Sequence, residues 1–154
     1  MNIFKELYTQ CEIYMEDGDM ESIEGMDWDM IRKASEEEIS SNDSPQGHYL
    51  LATYYILQNE IDKGMEEKLK AAELGCCVSA VDYSSYVECE GIEILGIVKA
   101  MNDAGHGLSS LQEDIDMEMG AIKENGDLEV MNQIEKKASE VKKNMTDRSL
   151  NFYW

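Results

Sequence analysis

Hydrophobic residues recur every three or four positions along most of this 154-residue chain, with polar residues between them. The clearest stripe runs from Leu128 to Met145, and another runs from Ile3 to Met15. Residues with this spacing share one face of an α-helix, which can then be buried against a neighbouring helix. No segment alternates hydrophobic and polar residues as a half-buried strand would. The pattern predicts an all-α fold of about seven or eight helices, arranged as antiparallel hairpins.

Capping and turn residues predict where the central helices begin and end. Ser44 can cap a helix whose first position is Pro45. Proline is tolerated there because a backbone N–H in the first turn would have no hydrogen-bond acceptor within the helix. The following run, residues 49–57, is hydrophobic on nearly every side, which predicts the centre of the core. A second helix is expected over residues 63–74, with Gly75 as its stop.

Similar signals predict the later helices. Ser79 is expected to cap a third helix, and Ser109 with Gln112 forms a capping box for a later one. Asp127 is expected to cap the long amphipathic C-terminal helix. Residues 103–107 are predicted to form a loop, because their glycines do not favour a packed helix.

Two glycines and an acidic stretch predict the remaining boundaries. Gly91 and Gly96 mark a break before the next hydrophobic run. The first helix is expected to end near Asp17 and Gly18, and another is expected from about Asp27 to Ile39. The residues between these two helices are predicted to be mostly loop.

The segment from Pro45 to Ser79 carries small, aromatic and basic residues at helical positions. They are Ala52, Tyr55, Lys63, Gly64, the run Lys70-Ala-Ala-Glu-Leu-Gly75 and, just beyond, Ala80. With these residues the segment resembles one tetratricopeptide-type helical repeat, nearest to the Sel-one-like variant. The resemblance covers about residues 45–80 and implies a short α-solenoid of stacked helix pairs. It also implies scaffolding or docking of peptides and proteins, without catalysis.

The chain length fits a single helical domain, since about 150 residues can bury roughly 68–70% of their unfolded surface. Within it, we distinguish an acidic N-terminal part, a repeat-like core and C-terminal helices. These cover residues 1–43, 44–104 and 108–150.

Negative charge is concentrated towards the N-terminus. The formal net charge is −20, and residues 1–43 hold 13 acidic and 3 basic residues. From Glu6 to Ile31 there are nine acidic residues and no lysine or arginine. These carboxylates repel one another in the folded chain, and together they attract cationic macromolecules. We therefore expect a basic protein as the partner.

The same charge argues against other ligands. Nucleic acid phosphates and anionic membranes both require a basic surface. No apolar run approaches the roughly 18 residues that span a bilayer, and the N-terminus lacks the apolar core of a signal peptide. A cytoplasmic location is expected, in which the four cysteines would remain thiols and act as small apolar residues.

Metal binding and catalysis have weak sequence signals. The run Asp17-x-Asp19-x-Glu21 begins like an EF-hand loop, but Ser22 and Trp28 occupy the positions of its glycine and bidentate glutamate. The cysteines and histidines lack zinc-ligand spacing. His106 is the one histidine predicted in a loop, and no nucleophile turn accompanies it. We expect no metal, no cofactor and no catalytic residue, and hence no enzyme.

The residues expected to bind the partner surround Trp28. Tryptophan is a frequent interface anchor, and flanking carboxylates would steer and then surround the contact. The alternative is that Trp28 packs into the core while the acidic residues face water. The predicted set is Asp17, Asp19, Glu21, Glu24, Asp27, Trp28 and Asp29.

Three functions fit these features. The first is an inhibitor or immunity-type protein that neutralises a basic toxin or nuclease. The second is a tetratricopeptide-like scaffold with a peptide in a helical groove. The third is a nucleic-acid mimic that blocks a DNA-binding enzyme. The groove of the scaffold would involve the tyrosines Tyr49, Tyr54, Tyr55, Tyr83 and Tyr86.

Overall fold

A computed structural model describes residues 2–105 and 111–145, which form nine α-helices and no β-strand. The predicted all-α fold is confirmed. The helices are α1 (Ile3–Glu16), α2 (Met20–Glu24), α3 (Trp28–Asn42), α4 (Pro45–Leu57), α5 (Ile61–Glu73), α6 (Cys77–Tyr86), α7 (Ile92–Asp103), α8 (Gln112–Glu124) and α9 (Leu128–Asn144).

The chain divides into two compact units, residues 1–67 and 68–154, and the boundary lies inside α5. The first unit contains α1 to α4 and the first half of α5. The second contains the rest of α5 and α6 to α9. The single-domain organisation expected from chain length stays a prediction.

In the first unit, α1 packs against α2 and α3, and α3 packs against α4. Helical spacing explains the packing, because each helix turns its hydrophobic residues to one side. The buried residues of this core are Phe4, Tyr8, Cys11, Ile23, Trp28, Ile31, Ala34, Leu50, Leu51 and Ala52.

The corner between α3 and α4 contains the predicted helix cap. Ser44 Oγ accepts a hydrogen bond from the backbone N–H of Gly47 at 3.1 Å, and Pro45 is the first residue of α4. Asp43, directly before this cap, has a left-handed backbone with a φ of 45°. The predicted cap is confirmed, and the chain reverses direction within these few residues.

The loop predicted between the first two long helices is partly wrong, because residues 20–24 form the short helix α2. Asp19 caps this helix, and the helix buries its own residue Ile23. One cap and one buried side chain stabilise a turn too short to produce a periodic pattern.

A close approach joins α4 to the first half of α5. A Cβ built on Gly64 would lie 2.6 Å from Ile56 Cγ1 and 3.1 Å from the carbonyl oxygen of Ala52. Only glycine fits such a contact without displacing its neighbours. The stop predicted at Gly75 is confirmed, since α5 ends at Glu73 and Gly75 has a φ of 103°.

The core of the second unit is built around α7, which packs extensively against α9. The predicted break at Gly96 is wrong, because α7 continues through it, whereas Gly91 does precede the helix with a φ of 115°. The buried hydrophobic residues of α7, α8 and α9 are Ile94, Leu95, Ile97, Val98, Ala100, Met101, Ile115, Ile134, Ala138 and Val141.

The caps in the second unit agree only partly with the sequence. Asp127 caps α9 by accepting from the N–H of Val130 at 3.1 Å, as predicted. Ser79 does not cap α6, because Cys76 Sγ accepts from the N–H of Ser79 at 3.2 Å and the helix starts at Cys77. Ser109, half of the predicted capping box, lies outside the described residues.

Within residues 2–105 and 111–145, no helix combines the length and the hydrophobicity needed to cross a membrane.

Candidate acidic interaction surface

The acidic segment, residues 17–29, presents all six of its predicted carboxylates to solvent. Asp17 follows α1, Glu21 and Glu24 lie on α2, and the rest lie at the starts of α2 and α3. Glu21 and Glu24 share one face of α2, since residues three apart are neighbours on a helix. The exposed carboxylates are those of Asp17, Asp19, Glu21, Glu24, Asp27 and Asp29.

Asp19 is held in place by its neighbour Ser22. One carboxylate oxygen accepts the Ser22 N–H at 3.1 Å, and the other accepts the Ser22 hydroxyl at 2.5 Å. These hydrogen bonds hold the pKa of Asp19 below its ordinary value. Asp19 therefore stays charged while it caps α2.

Asp27 and Asp29 stabilise the start of α3. The Asp27 carboxylate accepts from the N–H of Met30 at 3.1 Å, and Asp29 lies in the first turn. Negative charge at these positions is favourable, because the N-terminus of a helix carries partial positive charge. Part of the local acidity thus has a structural role as well as any role in binding.

The acidic segment, residues 17–29, contains no lysine, arginine or histidine of its own. In the described part of the chain, none of the six forms an ion pair with lysine, arginine or histidine. The nearest base in sequence, Arg32, pairs with Glu36 at 3.2 Å. Hydrogen bonds from that pairing raise the pKa of Arg32, and Asp29 adds a smaller attraction. The negative charge of the segment is left to solvent.

Trp28 lies beneath this surface. Its side chain is buried, with 8% of the residue exposed, and its indole N–H donates to the carbonyl of Ile23 at 2.7 Å. Of the two interpretations of Trp28, inward packing is the one found, because the indole satisfies its polar group inside the protein. Trp28 supports the surface and does not belong to it.

Two methionines accompany the carboxylates at the surface. Met20 is 54% exposed and Met30 is 42% exposed, whereas Met26 is half-buried. Methionine is flexible and polarisable, so it adapts to irregular partners. The segment therefore offers apolar contact area as well as charge.

Sequence reasoning missed a charge cluster around the buried ring of His48. The ring Nδ1 lies 2.6 Å from a carboxylate oxygen of Glu67, and Nε2 lies 2.7 Å from a carboxylate oxygen of Asp43. Burial alone lowers the pKa of His48, but these hydrogen bonds and charges outweigh it and raise the pKa above its ordinary value. No spacing rule links the three residues, which are 5 and 19 positions apart.

The surroundings of His48 differ from those of a catalytic histidine base. Both ring nitrogens face carboxylates, so the ring does not face a serine or cysteine nucleophile. The other histidine considered for catalysis, His106, lies outside the described residues. Across residues 2–105 and 111–145, no group of three or more His, Cys, Asp or Glu side chains is arranged to hold a metal ion.

The tyrosines proposed for a helical groove fall into both units. Within the first unit, the Tyr54 and Tyr55 rings are 5.4 Å apart, and Tyr49 meets Tyr8 edge-on at 6.3 Å. Within the second unit, Tyr83 and Tyr86 are 6.2 Å apart. The tyrosines thus form local aromatic pairs in each unit.

Comparison of the chain with protein-family models, curated proteins and solved structures found no match.

Proposed function

We propose that this protein is a non-enzymatic inhibitor or immunity-type protein whose acidic segment binds and neutralises a basic protein such as a toxin or nuclease. One observation carries the proposal: six exposed carboxylates lie within residues 17–29 without an ion pair in the described part of the chain. A cationic surface on the partner would supply the missing counter-charges.

The physical support is electrostatic. Neighbouring carboxylates repel one another in the free protein, and a basic partner removes this repulsion when it binds. Before contact, the field steers the partner over about one Debye length, roughly 8 Å at physiological ionic strength. Met20 and Met30 then provide apolar contact that does not depend on salt. Binding should therefore be fast and salt-sensitive.

The test needs a variant that removes charge and keeps the fold. Replacing the six carboxylates by their amides does this, because asparagine caps helices about as well as aspartate. Asp19→Asn and Asp27→Asn thus keep the caps of α2 and α3. The full variant carries D17N, D19N, E21Q, E24Q, D27N and D29N.

A matched control removes the same charge elsewhere. Six exposed glutamates of the second unit are changed to glutamine, so both variants have a formal charge of −14, which is −20 plus six. Any effect of net charge alone is then equal in the two variants. The control carries E90Q, E93Q, E113Q, E124Q, E129Q and E140Q.

Pull-downs from the native host at low and high salt would identify a basic protein retained by the wild type. With that protein purified, stopped-flow association should be at least about tenfold slower for the acidic-segment variant than for the control, because steering accelerates association by 10- to 1000-fold. Equal rates for the two variants, or a neutral or acidic partner, would refute the proposal. If the partner binds DNA, competition by a duplex distinguishes a nucleic-acid mimic from an inhibitor that binds elsewhere.

A tetratricopeptide-like scaffold is the second candidate. The close approach of Gly64 to Ala52 favours it, because these two small residues belong to the segment that resembles a repeat and bring α4 and α5 together. A scaffold would bind its peptide with little dependence on salt. The six amide substitutions would then leave binding unchanged, whereas substitutions of Tyr54 and Tyr55 would weaken it.

A further inference from the structure

We infer that protonated His48, held between Asp43 and Glu67, is a pH-sensitive clamp that fixes the first half of α5 to the corner between α3 and α4 and releases it on deprotonation. The inference is independent of the proposed partner, because it concerns the first unit itself.

The clamp joins three elements through one side chain. His48 lies in the first turn of α4, Asp43 directly follows α3, and Glu67 lies on α5. The imidazole side chain is 6% exposed and lies 2.6 Å from Glu67 and 2.7 Å from Asp43. A ring so enclosed cannot exchange the Glu67 carboxylate for water without a movement of α4 or α5.

Between two ionised carboxylates, the hydrogen-bond geometry favours a charged ring. Ionised carboxylates only accept hydrogen bonds, so each ring nitrogen must donate one. A neutral imidazole has a single N–H, and its other nitrogen would direct a lone pair at a carboxylate oxygen. Loss of the proton therefore breaks one hydrogen bond and removes the attraction to both acids.

Asp43 and Glu67 are the charged groups that act on the ring among the described residues. Glu38 of α3 is also nearby, where it packs beside Gly47, but it accepts a hydrogen bond from Asn42 at 3.1 Å. With two acids facing it, the ring is biased towards its charged form.

The two carboxylates contribute unequally. The Glu67 side chain is 12% exposed, whereas that of Asp43 is 67% exposed. Water screens the Asp43 contact more strongly, so Glu67 should account for most of the stabilisation.

The pH dependence follows from linkage. The folded-state pKa of His48 is raised above the ordinary histidine value of 6.5. Its stabilising contribution is therefore complete below about pH 6.5 and is lost as the pH rises through the folded-state pKa. Because one proton is involved, the population in which the clamp is open rises by at most about tenfold per pH unit across that window.

The first test is an NMR titration of the full chain. The sequence has two histidines, so an H106Q variant assigns the signals of His48. The His48 midpoint should lie above 6.5 in the wild type, fall clearly in E67Q, and fall less in D43N. Asparagine tolerates the left-handed backbone at position 43, so D43N tests the charge alone. A wild-type midpoint at or below 6.5 would overturn the inference.

The second test is hydrogen exchange of peptides covering residues 61–67, corrected for the intrinsic effect of pH. In the wild type, the exchange rate due to opening of the clamp should increase above pH 6.5 and then level off. H48Q should show no such increase. The same pH dependence in H48Q and the wild type would overturn the inference. If H48Q does not fold, E67Q and D43N replace it, and in both the increase should be smaller and should level off at a lower pH than in the wild type.

Discussion

Gly96 of α7 and Lys137 of α9 are so close that a Cβ built on Gly96 would lie 2.5 Å from Lys137 Cβ. The carbonyl oxygen of Ile134 would be only 3.2 Å away. The Cβ of Lys137 is fixed to its backbone and cannot rotate aside. The missing side chain at Gly96 is therefore what allows α7 and α9 to form the core of the second unit.

We expect Gly96→Ala to lower the free energy of unfolding of the second unit by about 1–2 kcal/mol, because overpacking outweighs the gain in helix propensity. Gly120→Ala is the matched control, since a Cβ at Gly120, inside α8, has no neighbour within 4 Å. That control should gain about 0.5–1 kcal/mol. Urea unfolding measures both, and a stabilising Gly96→Ala would contradict the close packing.

Trp28→Phe should separate stability from binding. The substitution removes the indole N–H and leaves the buried carbonyl of Ile23 without this donor. Because the Ile23 carbonyl still accepts the N–H of Met26 at 3.2 Å, we expect a loss of about 0.5–1.5 kcal/mol in the free energy of unfolding, measured by denaturant titration. Association with the basic partner should not change, because Trp28 lies beneath the surface. Slower association of the folded variant would show that the indole contacts the partner.

Asp27 should have two separable roles. Asp27→Ala removes the cap of α3 and its charge, and should cost about 1 kcal/mol in the free energy of unfolding. Asp27→Asn keeps the cap and should leave stability nearly unchanged, while both variants slow association with the partner. Thermal unfolding and stopped-flow association measure the two effects. Equal stability of the two variants would show that the hydrogen bond to Met30 is unimportant.

The thiols should be unreactive in the folded protein. Burial raises the pKa of Cys11 to about 11 and that of Cys76 to about 12, from an ordinary value of 9.0. At pH 8 the thiolate fraction of Cys11 falls by roughly 100-fold, because each pKa unit is a factor of ten. Cys89 is also buried, whereas Cys77 is half-buried.

Mass spectrometry after alkylation at pH 8 should therefore show modification of Cys77 first, and of all four cysteines only in denaturant. Cys77→Ser provides the control, which should remain unmodified over the same period. Early modification of Cys11 or Cys76 would contradict their burial.

Local features of the sequence predicted much of the fold. The spacing of hydrophobic residues predicted an all-α fold, and Ser44, Gly75 and Asp127 marked helix boundaries that the structure confirms. These signals work because a cap or a turn depends on residues three or four positions apart. The exposure of the six carboxylates also follows from their charge, since ionised groups are costly to bury.

Contacts between distant residues decided the rest. Gly96 has the same local signal as Gly91, yet it lies inside a helix because Lys137, 41 positions later, packs against it. The buried indole of Trp28 finds its acceptor in the carbonyl of Ile23, and the pKa of His48 is raised because folding brings Glu67 and Asp43 to its ring. Composition and spacing specify helices and their boundaries. Only the tertiary structure determines which side chains meet, because those contacts depend on how the helices pack.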